Sequence, residues 1–382
     1  MVSDKIDIKD LKNIYQEMRK FRKWANAMLA VAAVASLTAC DDEKDGPDPE
    51  NPTVSQGMYV LNNGNMGKRI EGDLTYYDYA TGKASEDMFQ NANKRSLGDT
   101  PQCAVIYGSK MYIGVYKSNV IDVIDRTTLK SIKQIKLEGQ NACSPRSMVA
   151  KDGKIYISMY TGYVSRLDTL SCEIDASVKV GPNPEIIAIH NGKIYVPNSD
   201  GQSWNTTGYG TTATEIDIAS FKATKTFDVP LNPCEFHSVG SELYVLCKGN
   251  YGDVKSTLYK VGSDYSCTEV CKATNIASDK SKVYVIDAPW GTVEENVVYK
   301  IYDSASGKMS DMLKDKKDVV YSPCGVRVDP ITGDIFITSY VMDGGKVGTY
   351  LPGYCKIYDR NGVYKSRFET GVGPTFLFPS LN

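Results

Sequence analysis

An internal repeat constrains this 382-residue chain more than any other feature. A proline, an apolar stretch, a turn and a tyrosine-centred strand recur at Pro101 to Met111-Tyr112-Ile113 and at Pro145 to Ile155-Tyr156-Ile157. The same unit returns at Pro184 to Ile194-Tyr195-Val196 and at Pro233 to Leu243-Tyr244-Val245, with the proline eleven residues before the tyrosine in all four. Val283-Tyr284-Val285 keeps the strand but has Ala273 in the proline position, and Pro323 to Ile335-Phe336-Ile337 has two extra residues in its turn. Gly57-Met58-Tyr59-Val60 supplies a seventh strand with no first half before it; the missing half stands at the other end, as Gly373-Pro374-Thr375-Phe376-Leu377-Phe378. Seven copies spaced in the mid-forties predict an all-β, seven-bladed β-propeller of four strands per blade, its first blade closed by the C-terminal strand.

The remaining strands fit this frame. Val120–Asp125, Val164–Asp168 and Lys356–Asp359 read as third strands ending in a turn-forming Asp, and Ile132–Leu137 and Phe227–Val229 as fourth strands. Asp152-Gly153, Asn191-Gly192 and Val239-Gly240-Ser241 are tight hairpin turns between first and second strands, on what we term the bottom face. Loops from second to third strands, and the proline-ended connections between blades, lie on the opposite, top face. Long insertions collect there, at Asn198–Ala213, Lys248–Ser256, Asp287–Asn296 and Tyr340–Gly353. Insertions gathered on one face of a repeat architecture mark a binding face.

Those loops are rich in aromatic and amide side chains. Asn63, Tyr116, Tyr160, Tyr163, Trp204, Tyr209, Tyr251, Trp290 and Tyr340 are the candidate ligand contacts. Tyr and Trp combine rigid apolar area with a polar tip, which suits a neutral ligand carrying many hydrogen-bonding groups. Packing among the loops is the competing role for any one of them. Arg146 and Glu185, each following a blade proline, are candidates for orienting a ligand over the central channel, or for pairing with each other.

Chemistry is sparse. The two histidines, His190 and His237, fall in different blades, so a shared metal is not expected, and no catalytic Ser-His-Asp set can be assembled by spacing. No cofactor and no enzymatic activity are expected. Asp329-Pro330-Ile331-Thr332-Gly333-Asp334 resembles a calcium loop, but its place on the tight-turn side reads as a hairpin with an Asx bend. Nine cysteines follow Cys40, an odd number. A two-residue turn at Gly240-Ser241 sets Cys234 opposite Cys247 as a candidate disulfide, with Cys267–Cys271 and Cys103–Cys143 as weaker candidates.

The N-terminus reads as a targeting segment. Lys20, Arg22 and Lys23 precede an apolar run from Trp24 to Leu37, too short to span a bilayer, which ends in Leu37-Thr38-Ala39-Cys40. It resembles a bacterial lipoprotein signal: residues 1–39 are removed and Cys40 is lipidated, anchoring the chain to a membrane. Residues 40–56, opening Asp41-Asp42-Glu43, form an acidic flexible tether resembling the surface-export signal of Bacteroides-type lipoproteins, and residues 57–382 form the propeller. The first 39 residues hold seven basic and four acidic side chains, which takes the remaining chain from −2 to about −5. A mildly acidic surface argues against a nucleic-acid partner, which needs clustered Lys and Arg.

Strands such as Tyr195-Val196-Pro197-Asn198 resemble the Tyr-Val-Thr-Asn signature of YncE-like propellers, in degraded form, over Gly57 to Phe378. Lipoprotein signal, acidic tether and propeller together resemble the BtuG group of Bacteroides surface lipoproteins. That resemblance implies an outer-membrane, outward-facing protein that captures cobalamin, a corrinoid ligand rather than a catalytic cofactor. It also implies a TonB-dependent outer-membrane transporter as partner. A glycan ligand, a scaffold docking another envelope protein and a lactonase-like hydrolase remain open as alternatives.

Overall fold

The computed structural model describes residues 52–139, 141–289, 296–315, 319–320 and 322–382. The expected signal segment, Cys40 and the tether through residue 51 lie outside them. The described residues form seven four-stranded antiparallel sheets. Blade 1 contains Ser55–Asn62, Asp73–Asp78 and Lys83–Ser85, and its innermost strand is the C-terminal Pro374–Leu381. The innermost strands of blades 2 to 7 are Pro101–Tyr107, Pro145–Lys151, Ala188–His190, Pro233–Val239, Asn275–Ser278 and Pro323–Val328. Pro374–Leu381 touches the inner strands of both blade 7 and blade 2, so the ring is closed as the split repeat requires.

The repeated aromatic residue explains why blades stack. Second strands are covered on both sides by neighbouring blades and therefore read as near-continuous apolar runs, such as Met111–Val115, rather than alternating ones. Tyr112 packs into the seam with Ile155 and Ile157 of blade 3, Tyr156 with Ile194 and Val196 of blade 4, and Tyr195 with Leu243 and Val245 of blade 5. The series continues with Tyr244 against Val283 and Val285, Tyr284 against Ile335 and Ile337, and Phe336 against Met58 and Val60. Tyr59 against Met111 and Ile113 closes the circle. Buried hydroxyls in this series find acceptors, as where Tyr284 donates to Asp279 Oδ2 at 2.8 Å. The repeat is therefore seven copies of one interface.

Polar residues set the turns. Asp152-Gly153 and Asn191-Gly192 both take positive φ (50° and 72°, 48° and 75°), the two-residue geometry that matches strand twist. Asp125, Asp168, Asp217 and Asp303 close the third-to-fourth turns, each carboxylate accepting the backbone N–H three residues on, at 2.7–2.8 Å. Asp329 accepts the N–H groups of Ile331 and Thr332 at 2.9 Å, the expected Asx bend. One helix, Met88–Asn93, joins blade 1 to blade 2 and buries Phe89, where only strands were expected. Six residues are too few to show a helical period in sequence.

The cysteine expectations are corrected. Each of the nine is a free thiol. Val239 does face Glu242, but the register slips between Pro233 and Glu235, which places Pro233 rather than Cys234 opposite Cys247. Cys234 is the extra residue of a β-bulge and turns to the channel, while Cys247 is buried in the seam with blade 4.

Glu215 carries the clearest pH dependence. It is 2 % exposed and accepts from Lys193, Thr224, Tyr195 and Tyr265. Burial opposes its charge, but these donors outweigh burial and hold the carboxyl at about 2. A depressed pKa stabilises the fold above the ordinary glutamate value and is lost as pH falls from there toward about 2. Glu215→Gln should therefore cost on the order of 2–3 kcal/mol at pH 7 and little at pH 2, as read by urea unfolding at both pH values.

Candidate functional site

The site begins with the bulges. Register slips fall at Pro101/Cys103, Pro145/Ser147, Pro233/Glu235, Pro323/Gly325 and, in blade 1, where Leu61 and Asn62 pair with Phe376 and Pro374. In each case the skipped residue follows the blade proline. A bulge re-aims its extra side chain, and Gln102, Arg146, Cys234, Cys324 and Thr375 all line the central cavity. Glu185 follows Pro184 and lines it too, its N–H bonded to Pro197 O. The proline-led repeats thus place variable side chains around the channel mouth on a shared frame. The cavity holds about 870 Å³, within the range of small-molecule sites.

Arg146 Nε donates to Glu185 Oε2 at 2.6 Å, so the two residues singled out from sequence both line the channel and pair with each other. Enclosure opposes the Arg146 charge, but Glu185 and Tyr160 more than offset it, and its pKa is raised. The guanidinium lies 5.9 Å from the Tyr160 ring centroid, and Tyr160 meets Tyr116 edge-on at 5.1 Å. Gln202 Nε2 donates to Tyr116 OH at 3.2 Å, linking the blade-4 insertion to this cluster. Tyr209 and Tyr251 form a second edge-on pair at 6.0 Å.

Of the expected contacts, Asn63, Arg146, Tyr160, Glu185 and Tyr251 line the cavity. Tyr116, Tyr209 and Tyr340 stand in the surrounding loops, and Trp204 is 61 % exposed on its insertion. Tyr163 packs against the seam of blades 2 and 3 and does not line the cavity. Trp290 lies outside the described residues. Sequence reasoning missed Gln102, Cys234, Lys248 and Arg327. The signal for Gln102 and Cys234 was available, because the post-proline position that drew attention to Arg146 and Glu185 recurs in every proline-led blade.

The wall below the mouth sets polar side chains among apolar ones. His237 Nε2 lies 2.6 Å from Glu235 Oε1, and His237 Nδ1 lies 2.7 Å from Ser278 Oγ in the next blade. Spacing alone did not reveal this Ser-His-Glu line, since its members come from two blades. His190 meets Ser238 across the preceding seam at 2.8 Å without a carboxylate. A His-to-Ser contact recurring at successive seams is a fastening between inner strands. No group of His, Cys, Asp and Glu suited to a metal occurs among the described residues. Burial pushes the thiols of Cys234 and Cys324 up to about 12, so they line the mouth as protonated, unreactive groups.

Residues 53–54 and the C-terminal Asn382 lie together on the opposite face. Thr53 and Val54 donate to Asn382 O at 2.7 and 2.9 Å, where other blades have their first-to-second turn. The chain therefore enters the propeller on the bottom face, and the insertions and channel mouth face away from that point.

Residues 56–198 match the family model described as "Domain of unknown function (DUF5074)". No curated protein matches in sequence. Among solved structures, a hypothetical selenium-binding protein from Sulfolobus tokodaii is similar at 12 % identity and TM-score 0.57, covering 89 % of this chain and 97 % of that one. Kuenenia stuttgartiensis hydrazine synthase is similar at 13 % identity and TM-score 0.51, covering 79 % and 95 %. The WD40 repeats of RRP9 are similar at 8 % and 0.51, covering 71 % and 81 %. At such identities the likeness is one of fold alone. The match over residues 56–198, set in a seven-bladed β-propeller, fits the YncE-like resemblance.

Proposed function

We propose that this protein is a surface lipoprotein that captures cobalamin on its top face and passes it to a TonB-dependent outer-membrane transporter. The observation that carries the reading is the gathering of insertions, exposed aromatic side chains and the bulge-built ring around one channel mouth. A chain entering on the bottom face, behind a lipid anchor at Cys40, leaves that mouth free to meet a large ligand. Cobalamin is flat and rimmed with amides. Tyr160, Tyr251 and Trp204 offer apolar faces to it, and Asn63, Arg146 and Glu185 offer polar partners. A glycan is the second reading, because the exposed ring of Trp204 suits sugar stacking.

Calorimetry of the purified protein against cyanocobalamin tests the proposal. One-to-one binding is expected, weakened about tenfold or more in Trp204→Ala, as for a large aromatic contact that ligand covers. Absence of heat from folded protein at micromolar concentration overturns the cobalamin reading and directs the search to polysaccharides.

A further inference from the structure

Two histidines on the inner wall each meet a serine of the next blade, and the proton runs in opposite directions through the two contacts. Glu235 Oε1 lies 2.6 Å from His237 Nε2, and a carboxylate can only accept. Nε2 therefore carries the ring proton, Nδ1 is left as an acceptor, and Ser278 Oγ donates to it at 2.7 Å. At the preceding seam Asn191 Nδ2, which can only donate, lies 3.0 Å from His190 Nε2. There Nδ1 carries the proton and Ser238 Oγ accepts at 2.8 Å. Both contacts fasten neighbouring inner strands, but only at His237 is the hydroxyl hydrogen aimed at a basic nitrogen that a carboxylate orients.

A base within hydrogen-bond reach of a serine, with a third group fixing the tautomer of the base, is the arrangement that activates a hydroxyl as a nucleophile. Glu235 and His237 stand two residues apart on one inner strand, and Ser278 ends the inner strand of the next blade. All three line the central cavity and none is fully buried, so a molecule in the channel can reach them. Ile276 and Val326 line the same cavity from blades 6 and 7 and offer an apolar surface to an acyl chain. Arg327 pairs with Phe336 as His237 pairs with Tyr244, so it holds the same repeat position two blades on. That level of the wall therefore also carries a guanidinium, the kind of group that stabilises charge developing on a carbonyl oxygen.

We propose that Ser278 is a nucleophile for carboxylic esters that enter the channel, with His237 as its general base and Glu235 positioning His237. Ser278 Oγ bonds to the ester carbonyl carbon while His237 Nδ1 takes its proton. The bond from that carbon to the alcohol oxygen then breaks, and the alcohol leaves with the proton. Water repeats the sequence on the acyl-serine, which releases a carboxylic acid and restores the hydroxyl. This activity goes beyond ligand capture and does not depend on it, because the three residues stand below the mouth.

The test uses the full purified chain and a fluorescent fluorophosphonate, from whose phosphorus an activated serine oxygen displaces fluoride. The label should map to Ser278 by peptide mass spectrometry, and the same protein should hydrolyse p-nitrophenyl butyrate. Ser278→Ala should abolish both, and His237→Gln should slow labelling about a hundredfold or more. Glu235→Gln should lower the maximal labelling rate about tenfold or more, with the probe concentration for half-maximal rate unchanged, as for a group that acts through the base. Ser238→Ala removes the serine of opposite polarity and should label as the unaltered chain does. Circular dichroism melts establish that each variant is folded, and peptide mapping of the unaltered chain reads the assignment even where a variant is not. No label on the folded chain, a label on another serine, labelling that survives His237→Gln, or a labelled chain that releases no butyrate overturns the proposal.

Discussion

A chain ending at Gly373 has no cooperative thermal transition. The nine residues removed include the innermost strand of blade 1, whose side chains serve two seams at once. Leu377 is buried with Met58, Val60 and Phe336 between blades 7 and 1, and Phe378 with Tyr59 and Met111 between blades 1 and 2. Burial of each such side chain is worth about 1.5–3 kcal/mol, and the strand also supplies a full ladder to Ser55–Asn62. Losing all of this together approaches the ~5–15 kcal/mol that separates a folded domain from its unfolded state. Trimming an outer strand such as Lys83–Ser85 leaves the ring closed and has a far smaller effect. Circular dichroism melts of the two truncations give the comparison. A sharp transition within a few degrees of the full chain, after loss of residues 374–382, contradicts closure by this strand.

Glu185→Ala destabilises the protein by about 3 kcal/mol, and the double change Arg146→Met, Glu185→Leu recovers most of that loss. The two side chains are 22 % and 13 % exposed, so removing one leaves the other enclosed without its counter-charge. Replacing both with apolar groups of similar size removes the desolvation cost along with the attraction. Ser199 Oγ, which also lies within reach of Glu185 Oε1 at 3.4 Å, retains a bond to Asn183 O in either variant. Urea unfolding of the single and double variants measures the difference. If the double variant is no more stable than Glu185→Ala, the pair is holding structure beyond its own charges. The recovered double variant should still bind ligand more weakly, because the pair forms part of the channel mouth.

Much of the architecture was legible because it repeats. The eleven-residue interval from Pro145 to Tyr156 fixes an inner strand, a tight turn and a seam-filling aromatic in one unit, and the split between Gly57 and Pro374 shows how the ring closes. The candidate site was legible only in part. Arg146 and Glu185 were found by position, and the cavity borders on both. The Cys234 expectation failed because a bulge adds a residue without changing the sequence pattern on either side of it. Arg327 and the Glu235-His237-Ser278 line depend on which blades become neighbours at a given depth, which spacing along one strand does not encode. Tyr163 was grouped with the loop aromatics but begins a third strand, where its ring packs against a seam.

Under the proposed function, ligand meets the top face over the channel mouth. Hydrogen–deuterium exchange with and without saturating cyanocobalamin tests it most directly, because the two faces are read in one experiment. Protection is expected in the loops after Asn62, Asn198 and Cys247 and in the post-proline bulges at Gln102 and Arg146. The bottom turns at Asp152-Gly153 and Asn191-Gly192 should be unchanged. Protection confined to the bottom turns or the outer strands, or no protection anywhere, contradicts the account.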